Sequence, residues 1–276
     1  MATIDYSLFR VKFVLPPQQS WLHYPISPRD IFLSSLRGRG DSQVRQGYTW
    51  HIGNVRFFSP TSGYFAIGRT TRSTIEKYDT VTGDFVEEEL ETSPYTHCVF
   101  DADIGFIGIA RKPSLSPTPS GIARRIEDLL SQTKEVRDND IRVEIAPIPD
   151  PESFLKDIRE AFAVLQFTAT FHGPNPFDAD EYFQKPLSGL LAAADGKKGR
   201  TQIEGDDLNR DVVESITKST AATGNEASAR IKRKRNARTT KIHLKGNNVG
   251  TVYEEESHTP QKALADLQSM YQRVSQ

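Results

Sequence analysis

The sequence predicts an α+β fold, with mixed or antiparallel sheets, helices packed on one face of them, and two subdomains. Three observations carry this. Pairs of apolar strand-like segments flank short turn clusters, the pattern of β-hairpins. Short apolar strands then alternate with amphipathic helices in the order strand–helix–strand–helix–strand. Finally, Gly173-Pro174-Asn175-Pro176 punctuates the chain, so residues 1–173 are read as an N-terminal and central α+β domain and 174–276 as a C-terminal α+β domain.

Residues 7–15 alternate apolar and polar side chains and stop at Pro16-Pro17, as a half-buried strand would. Ser27-Pro28-Arg29-Asp30 has the form of a helix start, with Ser27 as N-cap and Pro28 at the first helical position, and Arg37-Gly38-Arg39-Gly40-Asp41 ends that helix. Residues 48–58 and 64–71 form a hairpin around Ser59-Pro60-Thr61-Ser62-Gly63, and two short strands flank Val81-Thr82-Gly83-Asp84. A clearer hairpin joins 96–100 to 104–110 across Asp101-Ala102-Asp103.

The Pro/Ser run 113–119 leads into a helix with Ile122, Ile126, Leu129 and Leu130 on one face. There follow a strand (141–148), a helix opened by Asp150-Pro151-Glu152 with Phe154, Leu155, Ile158 and Phe162 inward, and a strand (164–172). Beyond the Gly/Pro punctuation come a helix (180–194), a strand (200–204) and a helix from about Asp207 with Val212, Val213 and Ile216. Strands at 227–235 and 239–245, a turn at Asn247-Asn248-Val249-Gly250, and a last helix carrying Leu264, Leu267, Tyr271 and Val274 complete the chain.

The chain has 276 residues, 37% hydrophobic and 26% charged, enough for one large or two modest cores. No apolar run approaches the ~18 residues of a membrane span. The start, Met1-Ala2-Thr3-Ile4-Asp5, lacks the basic flank and apolar stretch of a secretory signal, so a cytoplasmic protein is expected. A single cysteine, Cys98, excludes a disulfide framework and a cysteine-based zinc site.

The net charge of −1 conceals an asymmetry. Residues 196–245 hold 13 Lys/Arg against 6 Asp/Glu, a balance of +7, and the rest of the chain carries −8. Within 230–245 there are eight bases and no acid. Ala227, Ala229 and Ile231 alternate with Ser228, Arg230 and Lys232, and Ile242 and Leu244 alternate with Lys241, His243 and Lys245. Paired as a hairpin (227–245), these strands present Arg230, Lys232, Lys234, Lys241 and Lys245 on one surface, with Arg233, Arg235 and Arg238 near the tip. Like charges packed this closely are unfavourable without a polyanion. Four arginines in the run, with Arg200 in the preceding strand, fit bidentate phosphate contacts better than an edge strand merely protected by lysines. Lys197, Lys198 and Arg200 extend the basic set.

Few aromatics interleave the run and no zinc-finger or single-strand RNA-binding motif is present, so backbone contact to double-stranded DNA is the expectation. Catalytic signals are weak. There is no phosphate-binding P-loop, the six histidines are scattered, and His97 and Cys98, adjacent in a strand, point to opposite faces. Asp101 and Asp103 fit a turn, and Asp195-Gly196-Lys197 has nuclease spacing but lies in a glycine-rich loop. No catalytic residue, cofactor or metal is assigned.

The residues also resemble a known family. Asp103-Ile104-Gly105-Phe106 leading to Ala110-Arg111, the Pro/Ser/Thr linker 113–119, and Arg142-Val143-Glu144-Ile145-Ala146-Pro147 before an acidic-capped helix are similar to the core of the RexA-like phage-exclusion family. So are Ser34-Ser35-Leu36 in the first helix, the hairpin at 48–52 and the strand at 64–69; the likeness covers residues 30–160. It implies a cytoplasmic, dimerising DNA-binding protein that senses phage infection, with an effector protein as a possible partner, and is not an enzyme. The basic hairpin lies outside it and is read from its own chemistry. The alternative is a metal-dependent nuclease or RNA-processing enzyme of a defence system. Expected dimer surfaces are the apolar face of the last helix and an exposed edge of the N-terminal sheet.

Overall fold

The computed structural model describes residues 3–14, 27–39, 41–45, 48–172, 183–194, 196 and 198–275. These residues are α+β, with two sheets whose strands all pair antiparallel.

The larger sheet is built on β1 (Thr3–Val14). One edge of β1 pairs with β7 (Phe106–Ala110), which leads through β6 (Tyr95–Asp101), β4 (Ser62–Asp79) and β3 (Tyr48–Phe57) to β2 (Asp41–Arg45). β1 also pairs through residues 3–7 with β13 (Gly250–Glu254) and through 9–14 with β8 (Arg142–Pro147). The far half of β4 pairs with β5 (Asp84–Thr92).

β1 is not the half-buried strand its alternation predicts. Leu8 through Phe13 are all buried, Arg10 at 0% and Lys12 at 2% exposure, because helices cover both sheet faces. On one face Phe9, Val11 and Phe13 meet α1 (Pro28–Gly38) and α2 (Pro119–Ser131). On the other, Tyr6 and Leu8 meet α7 (Pro260–Ser275), whose Leu264, Leu267, Tyr271 and Val274 are buried. The apolar face of α7 is therefore core, and is excluded as the expected dimer surface. Arg10 is accommodated because its Nη1 donates to the Tyr271 hydroxyl at 2.8 Å.

The first helix starts at the cap legible in the sequence, and α2 has a cap of the same kind. The Ser27 hydroxyl accepts from Asp30 N at the head of α1, with Pro28 in the first turn. Thr118 caps α2 in the same way. A short α3 (Lys134–Arg137) connects α2 to β8. α4 (Glu152–Glu160) buries Phe154, Leu155 and Ile158, but Phe162 lies beyond its end and is exposed. In α6 (Arg210–Ala222), capped by Asn209, Val213 is buried while Val212 is exposed.

The smaller sheet runs β10 (Lys198–Glu204), β9 (Ala163–His172), β11 (Ala227–Lys232), β12 (Thr240–His243). α5 (Gln184–Ala193) lies between β9 and β10 in the chain. The expected boundary at residue 173 falls outside the described residues, as do Asp180 to Tyr182 of the expected helix. One face of this sheet, with Val164, Phe167, Ala169, Ala227, Ala229 and Ile231, shares a core with Ile158 of α4, Val213 of α6 and the α7 residues. After β12 the chain returns to the larger sheet through β13 and α7. Asn225 links the two sheets: its Oδ1 accepts from Lys12 Nζ of β1 at 3.1 Å and lies 2.8 Å from His172 Nδ1 of β9.

Candidate nucleic-acid interface

Period-two patterning positions the site. With Ala227, Ala229 and Ile231 turned into the core, Ser228 and Arg230 face the opposite side of β11. On β9, Gln166 pairs with Arg230 and Val164 with Ile231, so Leu165 is an extra residue in the ladder. That bulge lets Val164 and Phe167 both face inward while Gln166 and Thr168 face out; Thr170, on their side of the strand, is buried with its hydroxyl bonded to the Glu226 backbone.

The registers assemble the outer face in rows across the strands. Gln202, Thr168, Ser228 and His243 form one row; Glu204, Gln166, Arg230 and Lys241 form the next. Arg200 stands opposite Thr170 on the other side of the first row. Rows on one face repeat every ~7 Å along the strands. A groove of about 420 Å³ lies on this face, lined by residues that include Arg200, Arg230, Lys241, His243 and Lys245. It meets a second of about 480 Å³ that shares Gln166, Arg230 and Lys241.

Cations outnumber carboxylates on this face, whose grooves also hold Glu204 and the exposed Glu226. Glu204, at the rim, accepts from the side-chain amides of Gln166 (3.1 Å) and Gln202 (2.6 Å). Among the described residues, Arg200, Arg230, Lys241 and Lys245 form no ion pair with a carboxylate. Arg230 and Lys241 are direct cross-strand neighbours, an arrangement that costs stability unless an anion lies over it. Among the described residues, no Phe, Tyr or Trp lines either groove, and His243 supplies the one imidazole.

The predicted basic residues do not all come together. Arg200, Arg230, Lys241 and Lys245 converge on the face. Arg233, Lys234, Arg235 and Arg238 lie exposed in the connection between β11 and β12, with Lys232 half-buried at its start. Arg233 is already held by Asp157 of α4 at 2.9 Å, and Lys198 is paired with Glu226 at 3.7 Å. Lys197, with Asp195 of the nuclease-like triplet, lies outside the described residues. Sequence reasoning overlooked the uncharged half of the face, Gln166, Thr168, Gln202 and Ser228. The signal was available, as these residues alternate with Phe167, Ala169, Ile203 and Ala227/Ala229.

Elsewhere the structure brings together histidines that the sequence leaves apart. His97 of β6 and His258, just before α7, have ring centroids 5.3 Å apart. Tyr64 Oη lies 2.9 Å from His97 Nδ1, and Tyr6 Oη 2.9 Å from His258 Nε2. Burial lowers both imidazole pKa values, with the neighbouring His258 adding to the effect on His97. Burial likewise raises Tyr64 to about 12. The pair lacks a third ligand: among the described residues, no three His, Cys, Asp or Glu side chains gather into a metal-binding set. Asp101 and Asp103 serve the turn. Asp101 Oδ1 accepts from the backbone N–H of Asp103 and Ile104, and Asp103 takes an ion pair from Arg29 at 3.3 Å.

Comparison with known proteins finds no family model and no curated protein that matches this chain.

Proposed function

We propose that this protein binds the phosphate backbone of double-stranded DNA, largely without regard to sequence and without catalysing a reaction, through the outer face of the sheet β10-β9-β11-β12. The observation that carries the reading is the convergence of Arg200, Arg230, Lys241 and Lys245 on a grooved face whose other members are mostly neutral hydrogen-bonding side chains. Arginine and lysine supply the charge, and Thr168, Gln202 and Ser228 supply neutral donors of the kind that position a backbone. A face whose described residues include no Phe, Tyr or Trp favours a duplex over a stacked single strand. The exposed cations of the β11–β12 connection extend the contact beyond the groove. The resemblance of residues 30–160 to the RexA-like family supports phage exclusion or defence as the setting.

The test is a gel shift with duplex DNA, single-stranded DNA and RNA of equal length, alongside plasmid incubated with magnesium with and without chelator. The reading expects the duplex to shift most strongly and the plasmid to remain intact. Preferential binding of the single strand or RNA would overturn the duplex assignment. Chelator-sensitive cleavage would overturn the non-enzymatic one.

A further inference from the structure

The far half of β4 and the whole of β5 pair over nine positions, from Thr71↔Thr92 to Asp79↔Asp84, as a two-stranded ribbon ~30 Å long. Within these two strand segments are seven acids (Glu76, Asp79, Asp84, Glu87, Glu88, Glu89, Glu91) and two bases, Arg72 and Lys77. Both bases are engaged on the ribbon itself, Arg72 with Glu91 and Lys77 with Glu88. Glu76 and Glu87 stand directly opposite each other, with Glu89 two residues along the same face. Carboxylates on one face recur every ~7 Å. At the tip, Val81 is 92% and Phe85 83% exposed, and Tyr78 packs edge-on against Phe85 at 5.3 Å. Facing like charges weaken a strand pair, and large exposed apolar groups at a tip mark a surface made for contact.

The same chain carries a complementary surface, the outer face of the smaller sheet, where Arg230 and Lys241 are likewise paired without an acid between them. Four strands span ~19 Å, wide enough for a two-stranded ribbon to lie across. We propose that the acidic ribbon docks on the basic sheet face of a second copy of this chain, two copies exchanging ribbons so that both contacts form at once. A reciprocal exchange closes with two-fold symmetry, whereas a single contact would propagate into a filament. The proposal uses the basic character of the face and does not rest on that face meeting DNA.

The experiment is light scattering on nucleic-acid-free protein at low and high salt. The account expects a mass near twice the 31.0 kDa chain at low salt, falling towards one chain as salt screens the contact. The triple variant Glu76→Lys, Glu87→Lys, Glu89→Lys should remain a monomer at low salt, and so should Arg230→Glu, Lys241→Glu. Mixed in equal amounts the two variants should return to the double mass, since ribbon and face are again complementary in both directions. The milder Glu76→Gln, Glu87→Gln, Glu89→Gln removes repulsion within the ribbon, so a loss of association in that folded variant cannot come from unfolding. A monomeric wild type, a dimer indifferent to the ribbon variants, an open series of larger masses, or a variant mixture that stays monomeric would each overturn the proposal.

Discussion

Arg10 shows how one residue can link distant parts of this chain. It is fully buried in the central strand, and its guanidinium donates to the hydroxyl of Tyr271, 261 residues away. Replacing Tyr271 with Phe removes that acceptor while keeping the ring, and should destabilise the protein by about 1–3 kcal/mol in urea unfolding. An unchanged midpoint would mean that the bond contributes nothing. The buried histidines make stability depend on pH. Burial depresses the pKa of His97, His172 and His258, the Asn225 contact partly opposing it at His172. A depressed imidazole pKa means that the folded state binds its proton less readily than the unfolded chain. The stability these groups contribute is therefore present above the unfolded value of about 6.5 and lost as pH falls through the lower folded values. Unfolding midpoints should decline on acidification from about pH 7 to 5. The double variant His97→Gln, His258→Gln should flatten that decline, and an equal slope in wild type and variant would contradict the assignment.

At the scale of elements, α7 closes the structure. Gly108 of β7 lies under it, and a Cβ there would run into Leu267 of α7 and come within 3.0 Å of Val99 Cγ2. Gly108→Ala should thus cost about 1–3 kcal/mol through overpacking, read by thermal unfolding; a neutral result would place α7 elsewhere. Elements whose signal is local were legible in the sequence: the Ser27 cap, the β3–β4 and β6–β7 hairpins, and the alternation in β11. Elements defined by distant partners were not. β13 is a five-residue edge strand whose pairing partner is β1. The β4–β5 ribbon was read as two short strands because both its faces meet solvent, and no period-two burial marks its length. Arg10 and Lys12 read as surface residues because the groups that accept them, Tyr271 and Asn225, are far along the chain. The candidate site was half legible: charge runs stand out in a sequence, whereas the alternation that carries Thr168, Gln202 and Ser228 marks a strand face but not that the three share one, which the strand registers decide.

The whole molecule segregates its charge, with +7 in residues 196–245 and −8 in the remainder. Such a field orients an approaching polyanion towards the smaller sheet and away from the acidic ribbon. Phosphate contacts carry no base information, so removing them should weaken binding to all duplex sequences alike. Arg233→Ala, Arg235→Ala, Arg238→Ala removes cations from the exposed β11–β12 connection and should weaken every duplex equally while the fold persists. Binding like wild type would make that connection a solubility device.

Fluorescence anisotropy of a labelled duplex across a salt series reads whether the face of β10-β9-β11-β12 neutralises phosphates. With the four cations of the face and those of the connection contributing about six to eight contacts, affinity should fall by roughly three orders of magnitude between 50 and 200 mM salt. The variant Arg230→Ala, Lys241→Ala, Lys245→Ala should bind more weakly at every salt concentration, with a slope of log affinity against log salt shallower by about three. Affinity that barely responds to salt, or a variant whose slope matches that of the wild type, would contradict the account.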